Sequence, residues 1–304
     1  MIPKLEYQIP MTMGRLIGCL LFLLSANAVS GAETYPLVSF GPPGPHQVTK
    51  VSDSLYLFSQ GGARNIFIVT DEGVIVTDPM NAVAAKALRA EIAKITDAPV
   101  KYVIYSHEHW DHILGGKIFE DEGATFVSQF NCLEHFYREP HQDLIFPDIT
   151  YERNHTIVLG GQQIELLYFG RNHGQCMTVM HIPQERMIFI VDLVTKGRVS
   201  GAGGTMRDFY PRDWIRTLRE IEALDFDQMI ASHGPAISDR STVAERRRYL
   251  EALMLAVRNE LEAGTPYRQI LGRIELPEFS YLQGYDLYLR ANAERILDYY
   301  VAGH

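Results

Sequence analysis

The chain has 304 residues, of which 46% are hydrophobic and 21% are charged, and its formal net charge is -9. This composition is typical of a globular protein with one large domain or two small ones. The acidic balance argues against a nucleic-acid-binding protein, because the phosphates would be repelled. The charge sets no limit on a small-molecule substrate, since a metal site can reverse the local field.

The N-terminal residues predict a secretory signal peptide over residues 1–32. Arg15 precedes a short apolar run over residues 16–24, small residues follow the run, and cleavage after Ala28 or after Ala32 fits this order. An uncleaved anchor is the alternative, but the run is short for a membrane span. We therefore expect an exported protein, periplasmic or secreted, with no stable membrane anchor after signal cleavage.

Two cysteines, Cys132 and Cys176, remain once this signal is removed. An exported domain of this size does not require disulfides, and the sequence alone does not show whether the two residues pair. We interpret them as buried free thiols, with Cys176 as a packing residue rather than a metal ligand.

The predicted strands occur in hairpin groups, and helices lie between these groups in both halves of the chain. This alternation, after an irregular Pro- and Gly-rich arm over residues 33–50, predicts an α/β (α+β) fold with two mixed β-sheets packed face to face and helices on the outer faces. The predicted strands cover residues 54–59, 65–70, 73–77, 100–105, 124–128, 157–158, 163–169, 178–182, 187–191 and 229–231. The predicted helices cover residues 82–95, 113–119, 131–138, 214–223 and 242–263, with a last helix within 284–301.

The strongest chemical signal is the run S-H-E-H-W-D-H over residues 106–112, which directly follows a buried predicted strand. Imidazole nitrogens and carboxylate oxygens at this density are typical ligands of zinc, and loops at strand ends commonly carry functional sites. In a turning loop His107 and His109 can point one way, and Asp111 and His112 another. The spacing therefore favours two adjacent metal ions over one.

A site for two metal ions needs further ligands, and three later residues are candidates. His173, Asp192 and His233 each follow or end a predicted strand. A single histidine in a loop is more often a surface residue, but the common placement of all three favours one shared site.

The His-x-His-x-Asp-His motif resembles that of the metallo-β-lactamase superfamily, and the resemblance covers roughly residues 50–240. It implies an αββα four-layer sandwich at residues 33–240, with a C-terminal helical extension at 241–304 packed on the same domain. It also implies a zinc-dependent hydrolase that uses a metal-bound hydroxide to cleave an amide, lactone or ester bond, and β-lactams are among the candidates. The implied ligands are His107, His109 and His173 for one zinc ion, Asp111, His112 and His233 for a second, and Asp192 as the bridge.

The resemblance implies roles for three residues beside the ligand set. Asp111 would be the catalytic acceptor of the nucleophile's proton as well as a ligand. Asp78 resembles the acid that orients the ligand loop in this family, with a turn residue as the alternative. Lys196 lies four residues beyond Asp192 and would bind a substrate carboxylate, with a solvated surface lysine as the alternative.

The identity of the bridging residue bears on the type of hydrolase. The best-known lactamases carry a cysteine where this chain has Asp192, whereas aspartate is typical of the thioesterase, lactonase and phosphodiesterase branches. The candidate substrates therefore also include thioesters and phosphate or sulfate esters.

Two other functions stay open. A mononuclear-iron sulfur dioxygenase on the same fold would use an overlapping ligand set, whereas the retained His109 disfavours a diiron oxidase. A non-catalytic binding module is disfavoured because all seven candidate ligands are present. We interpret the C-terminal tyrosines as packing residues, with a homodimer contact or the mouth of the site as alternatives. These tyrosines are Tyr281, Tyr285, Tyr288, Tyr299 and Tyr300.

Overall fold

The computed structural model describes residues 44–199, 206 and 209–303. These residues belong to one compact unit, and the predicted signal peptide at residues 1–32 lies outside them. Within the described residues, every helix is too short or too polar to cross a membrane.

The described strands form two mixed sheets. The strands are β1 (His46–Lys50), β2 (Leu55–Gln60), β3 (Ala63–Thr70), β4 (Gly73–Thr77), β5 (Val100–Ile104), β6 (Thr125–Gln129), β7 (Ile149–Tyr151), β8 (Asn154–Leu159), β9 (Gln162–Leu167), β10 (Val179–Ile182), β11 (Met187–Ile190), β12 (Gln228–Ala231) and β13 (Ile237–Asp239). The first sheet contains β1 to β7 in chain order, and the second has the order β13-β12-β11-β10-β9-β8. Neighbours from β4 to β7 run parallel, as do β11 and β12.

The helices flank these sheets. They are α1 (Ala82–Ile95), α2 (Trp110–Ile113), α3 (Lys117–Glu120), α4 (Cys132–Arg138), α5 (Pro211–Ala223), α6 (Arg240–Glu262), α7 (Tyr267–Ile270) and α8 (Tyr285–Ala302), with short 3₁₀ turns at Pro183–Glu185 and Pro277–Phe279. The side chain of Asn81 accepts hydrogen bonds from the first turn of α1, and Asp239 does the same for α6. Such caps satisfy amide groups that a helix start leaves without partners.

Strand β4 shows how the layers arise, because successive side chains of a strand point to opposite faces. Val74 and Val76 pack with Leu88 of α1 in one core cluster. Ile75 belongs to a second cluster, which includes Ile188 of the other sheet. The first sheet is therefore covered by helices on one face and by the second sheet on the other, which confirms the predicted αββα sandwich.

The C-terminal helices belong to the same compact unit. Val243 and Leu250 of α6 are buried in the core cluster of the second sheet. Tyr285, Tyr288 and Tyr300 pack against that cluster and are partly buried, as packing residues would be, whereas Tyr281 is 64% exposed and does not fit this interpretation.

Some predicted elements differ from the structure. Residues 46–50 form strand β1, although they were expected in an irregular arm, and β7 and β13 were not predicted. The helix predicted at residues 113–119 is replaced by α2 and α3, which Gly115 and Gly116 separate. A Cβ atom at Gly115 would collide with the Pro79 carbonyl oxygen. The close approach of these two backbones explains the break.

The interpretation of the cysteines as free thiols is wrong. Cys132, the first residue of α4, and Cys176 form a disulfide, with their Cα atoms 5.2 Å apart and a sequence separation of 44. The fold brings together two segments whose proximity no local pattern encodes. For a loop of this length, the chain-entropy account gives a stabilisation of about 4 kcal/mol.

Candidate metal centre

The candidate ligands follow the carboxyl ends of parallel strands in both sheets. The loop with His107, His109 and His112 leaves β5, Asp192 follows β11, and His233 follows β12. In α/β sheets these strand ends meet at one edge, where ligands usually bind. His173 comes from the loop between β9 and β10. Both sheets therefore contribute side chains to one cluster.

The first group of ligand atoms comes from His107, His109, His173 and Asp192. One ligand atom from each of the four lies within 4.8 Å of all the others. The ring centroids of the three histidines are 4.5 to 5.0 Å apart. His107 is fully buried and His173 is 7% exposed. This group has the donor number and spacing of a metal site.

The second group of ligand atoms comes from His112, Asp192 and His233. Nε2 of His112 lies 3.1 Å from Oδ2 of Asp192, and Nε2 of His233 lies 3.0 Å from Oδ1. Oδ2 of Asp192 is also 3.4 Å from Nε2 of His173. Asp192 thus faces both groups, which is the position expected of a bridging carboxylate.

Asp111 lies at the edge of the second group. Its Oδ2 atom is 3.5 Å from Nε2 of His112, and its side chain is 36% exposed. The carboxylate is therefore accessible from solvent while it contacts the cluster.

The cluster fits a metal better than it fits a set of ion pairs. Nε2 of His107 is buried and has no hydrogen-bond partner among the described residues, although buried polar atoms nearly always have one. A metal ion would satisfy this nitrogen, and a set of imidazoles with a carboxylate suits zinc. His107, His109 and His173 could hold one ion and His112 and His233 another, with Asp192 between them.

The electrostatics differ between the two groups. Burial lowers the pKa of His107 well below its usual range, and the imidazoles of His109, His112 and His173 add to this shift. Burial opposes the charge on His112 too, but Asp192 outweighs it and raises the pKa of His112 well above its usual range. The histidines in turn outweigh burial at Asp192 and hold the pKa of that carboxyl well below normal. Before a metal binds, the directions of these shifts favour the neutral form of His107 and the charged form of His112.

Asp78 supports the ligand loop from the end of β4. Its Oδ1 atom accepts a hydrogen bond of 2.7 Å from the Ser106 backbone N–H, and its Oδ2 atom lies 3.3 Å from Nδ1 of His112. Asn65 donates to the Asp78 backbone carbonyl at 2.8 Å. Asp78 and Asp192 have positive φ angles of 36° and 57°, a rare conformation that concentrates at functional sites.

Sequence reasoning missed several groups that orient the ligands. The Ser232 hydroxyl donates to Oδ1 of Asp192 at 2.8 Å, and Nδ1 of His233 lies 3.0 Å from the Gly62 carbonyl oxygen. The Arg64 guanidinium donates to the carbonyls of Ala231 and Gly234. The position of Ser232 next to His233 in sequence could have indicated its role. Gly62 and Arg64 are more than 160 residues from their partners in sequence, so no local pattern indicates these contacts.

Lys196 lies apart from these contacts. Its side chain is exposed, and its positive charge helps lower the pKa of Asp239, after the hydrogen bonds from Ser241. The structure therefore places Lys196 near the start of α6. Binding of a substrate carboxylate by this lysine stays a prediction.

Comparison with known proteins agrees with this geometry. The chain is 26% identical over 223 residues to the 2,4-dinitroanisole O-demethylase subunit alpha of Nocardioides sp., covering 72% of this chain and 65% of the relative. It is 23% identical over 275 residues to a linear primary-alkylsulfatase of Pseudomonas sp., covering 73% and 51%. The chain thus spans between half and two thirds of the length of these relatives.

Solved structures show the same fold. The metallo-beta-lactamase from Pontibacter korlensis superimposes with a TM-score of 0.61 at 20% identity, covering 68% of this chain and 99% of that one. The sec-alkylsulfatase Pisa1 from Pseudomonas sp. gives 0.71 at 17% identity, covering 86% and 51%. The sequence model of the Metallo-beta-lactamase superfamily matches residues 60–233, which include all the candidate ligands and more than half of the chain. The chain belongs to the metallo-beta-lactamase superfamily.

Proposed function

We propose that this protein is a hydrolase that depends on two zinc ions and cleaves an ester, lactone or amide bond. The observation that carries this proposal is the position of Asp192. Its two carboxylate oxygens contact histidines of two different groups, His112 through Oδ2 and His233 through Oδ1. A single carboxylate between two sets of imidazoles is the arrangement that a pair of metal ions needs.

When bound, the two metal ions would supply an activated water molecule and would polarise the bond to be cleaved. The side chains of the protein would hold the metal centre and accept the proton. His107 and His173 are buried and fix one end of the centre. Asp111 is partly exposed beside His112, so its carboxylate can accept the proton of the attacking water. No serine or cysteine nucleophile is required, because the water is the nucleophile.

The substrate class follows from the chemistry and from the relatives. The named relatives act on an aryl methyl ether and on alkyl sulfate esters, and neither name indicates a β-lactam. The bridging position is held by aspartate rather than by the cysteine of the best-known lactamases. We therefore place ester-type substrates, sulfate esters included, ahead of β-lactams.

A panel of chromogenic substrates tests the proposal. A nitrophenyl sulfate, a nitrophenyl carboxylic ester, a lactone and a chromogenic cephalosporin would be incubated with the purified protein, before and after dialysis against a chelator. We expect turnover of at least one substrate, loss of this turnover on chelation and recovery with zinc. Turnover that survives complete removal of metal would contradict the proposal, as would recovery with iron alone.

We also propose that the protein is exported and acts on a small molecule outside the cytoplasm, without nucleic acid as a partner. The order of residues in the segment 1–32 supports this, and so does the Cys132–Cys176 disulfide, because such bonds persist in oxidising compartments. The intact mass of the mature protein tests export, since we expect a new N-terminus after Ala28 or Ala32. A mature protein that keeps residues 1–32 would contradict signal cleavage. A homodimer stays a prediction for size measurements in solution.

A further inference from the structure

Glu108 is a buried carboxylate inside the ligand motif. It is not one of the candidate metal ligands, so metal binding does not explain why it is buried. Its side chain is only 5% exposed. Burial of a charged group is costly unless hydrogen bonds compensate for the lost water. Glu108 stands between the ligands His107 and His109 in sequence, so its contacts act directly on the ligand loop.

The partners of Glu108 lie in the loop that carries His173. Oε1 of Glu108 accepts a hydrogen bond of 2.5 Å from the Gln175 backbone N–H, and Oε2 accepts one of 3.3 Å from the Cys176 N–H. Oε2 also lies 2.9 Å from Sγ of Cys176. That sulfur belongs to the disulfide and has no proton, so the two backbone amides are the donors here.

Gly174 shows that the loop is built around this carboxylate. Its φ angle is +79°, and a Cβ atom at this position would lie 2.7 Å from Oε1 and 2.8 Å from Oε2 of Glu108. Both the backbone conformation and the space therefore require glycine. The residue directly after His173 is thus fitted to the Glu108 side chain.

The disulfide fixes the same loop from its other side. Cys176 comes three residues after His173 and is bonded to Cys132 at the start of α4. Glu108, Cys132 and Cys176 have ligand atoms within 4.8 Å of one another, but the disulfide uses both sulfurs. In the oxidised protein, this cluster is therefore a structural junction rather than a further metal site.

We propose that Glu108 is a positioning residue that holds His173 in place as a ligand of the first metal. The proposal rests on the metal-dependent function proposed above. Glu108 links the loop of His107 and His109 to the turn after His173 through backbone hydrogen bonds. The motif thereby fixes the position of a ligand more than 60 residues away in sequence.

The test compares metal affinities in two backgrounds. His233→Ala removes a ligand of the second group and isolates the first, whereas His173→Ala isolates the second. Glu108→Ala would be combined with each, and Co²⁺ and Zn²⁺ affinities would be measured by spectroscopic and competition titration. We expect Glu108→Ala to weaken metal binding about 10- to 100-fold in the His233→Ala background, which is typical of residues that orient ligands. In the His173→Ala background, we expect a change within about twofold.

Matched variants separate positioning from general damage. Glu108→Gln keeps one acceptor oxygen and should lose less affinity than Glu108→Ala. Gly174→Ala leaves Glu108 intact but displaces it, so it should reproduce the loss even if Glu108→Ala fails to fold. Glu134→Gln is the control, because Glu134 is an exposed glutamate on α4 that pairs with Arg138.

The outcomes distinguish this inference from the proposed function. If the unmutated protein binds two metal ions but Glu108→Ala and Gly174→Ala leave the first site unchanged, Glu108 does not position His173. Equal losses in both backgrounds would also overturn the inference, because they indicate general destabilisation. If the unmutated protein binds no metal, the proposed function itself fails.

Discussion

The two halves of the candidate metal centre differ in exposure and in how the fold supports them. The first half, with His107, His109 and His173, contains two buried imidazoles and one partly buried one. The second half contains the buried His112 and the more accessible His233, and the side chains of His233 and Asp111 are 35% and 36% exposed. We therefore call the first half the closed end and the second half, with the exposed side chains of Asp111 and His233, the open end, where we expect substrate to enter.

The support of each half differs in kind. Glu108 and the Cys132–Cys176 disulfide hold the loop of His173. Asp78 contacts His112, and the Gly62 carbonyl contacts His233. The first half is therefore tied by a covalent link as well as by hydrogen bonds, whereas the described contacts of the second half are polar only. Variants that remove ligands from one half at a time show whether this difference affects metal binding and turnover.

The largest effect is expected from loss of Asp192, which faces both halves. Asp192→Ala should reduce turnover at least about a thousandfold, because two metal ions contribute several kcal/mol to such reactions. Metal content should fall by at least one ion per chain. A variant that keeps both ions and full turnover would show that the carboxylate is not a shared ligand.

A smaller but more discriminating effect is expected from single histidine variants. His173→Ala should leave one ion in the open half, and His233→Ala should leave one in the closed half. The ion left in the closed half should be lost to a competing chelator roughly tenfold more slowly, because a buried, closed site restricts access and is well oriented. Equal or inverted rates of loss would contradict the assignment of closed and open ends.

Asp78 gives a test within the open half. Asp78→Asn removes the charge beside His112 and should weaken the second metal about 10- to 100-fold, with a smaller effect on the first. Asp148→Asn is a matched control, because Asp148 also accepts a backbone hydrogen bond in the first sheet, from Phe126. If both variants bind metal equally well, Asp78 acts only as a turn residue.

The pH dependence of metal binding should also separate the halves. Burial lowers the pKa of His107, so this ligand is already neutral near pH 7, whereas Asp192 outweighs burial and raises the pKa of His112. A metal in the open half must displace the proton of His112. The pKa of His233 in the same half is raised too, because Asp192 outweighs its burial. As the pH falls through the neutral range, the affinity for the metal in the open half should therefore fall about tenfold or more per pH unit beyond the fall for the metal in the closed half. Zinc affinities of the His173→Ala and His233→Ala variants would be measured at several pH values. Equal slopes of affinity against pH in the two variants would contradict this expectation.

The sequence predicted the parts of the fold and of the site that depend on local pattern. The near-continuous apolar run before residue 106 indicated β5, and the dense motif after it indicated the ligand loop. The positions of His173, Asp192 and His233 after predicted strands were enough to group them with that loop, and the structure brings all three together with it.

The features that the sequence did not reveal depend on contacts between distant segments. Strand β1 has a single partly buried residue and four exposed ones, so it has no apolar alternation and exists by pairing with β2. The Cys132–Cys176 disulfide and the contacts of Glu108 with residues 174–176 join segments 44 to 68 residues apart. Glu108 stands at a variable position of the motif, and its role becomes visible only once the His173 loop is in place.

Metal content per chain shows whether Asp192 lies between two metal ions. The mature protein would be purified without added metal and analysed for zinc and iron per chain, beside Asp192→Ala prepared in the same way. We expect close to two zinc ions per chain in the unmutated protein and at most one in the variant. One iron per chain, or a single zinc ion unaffected by the substitution, would contradict this expectation.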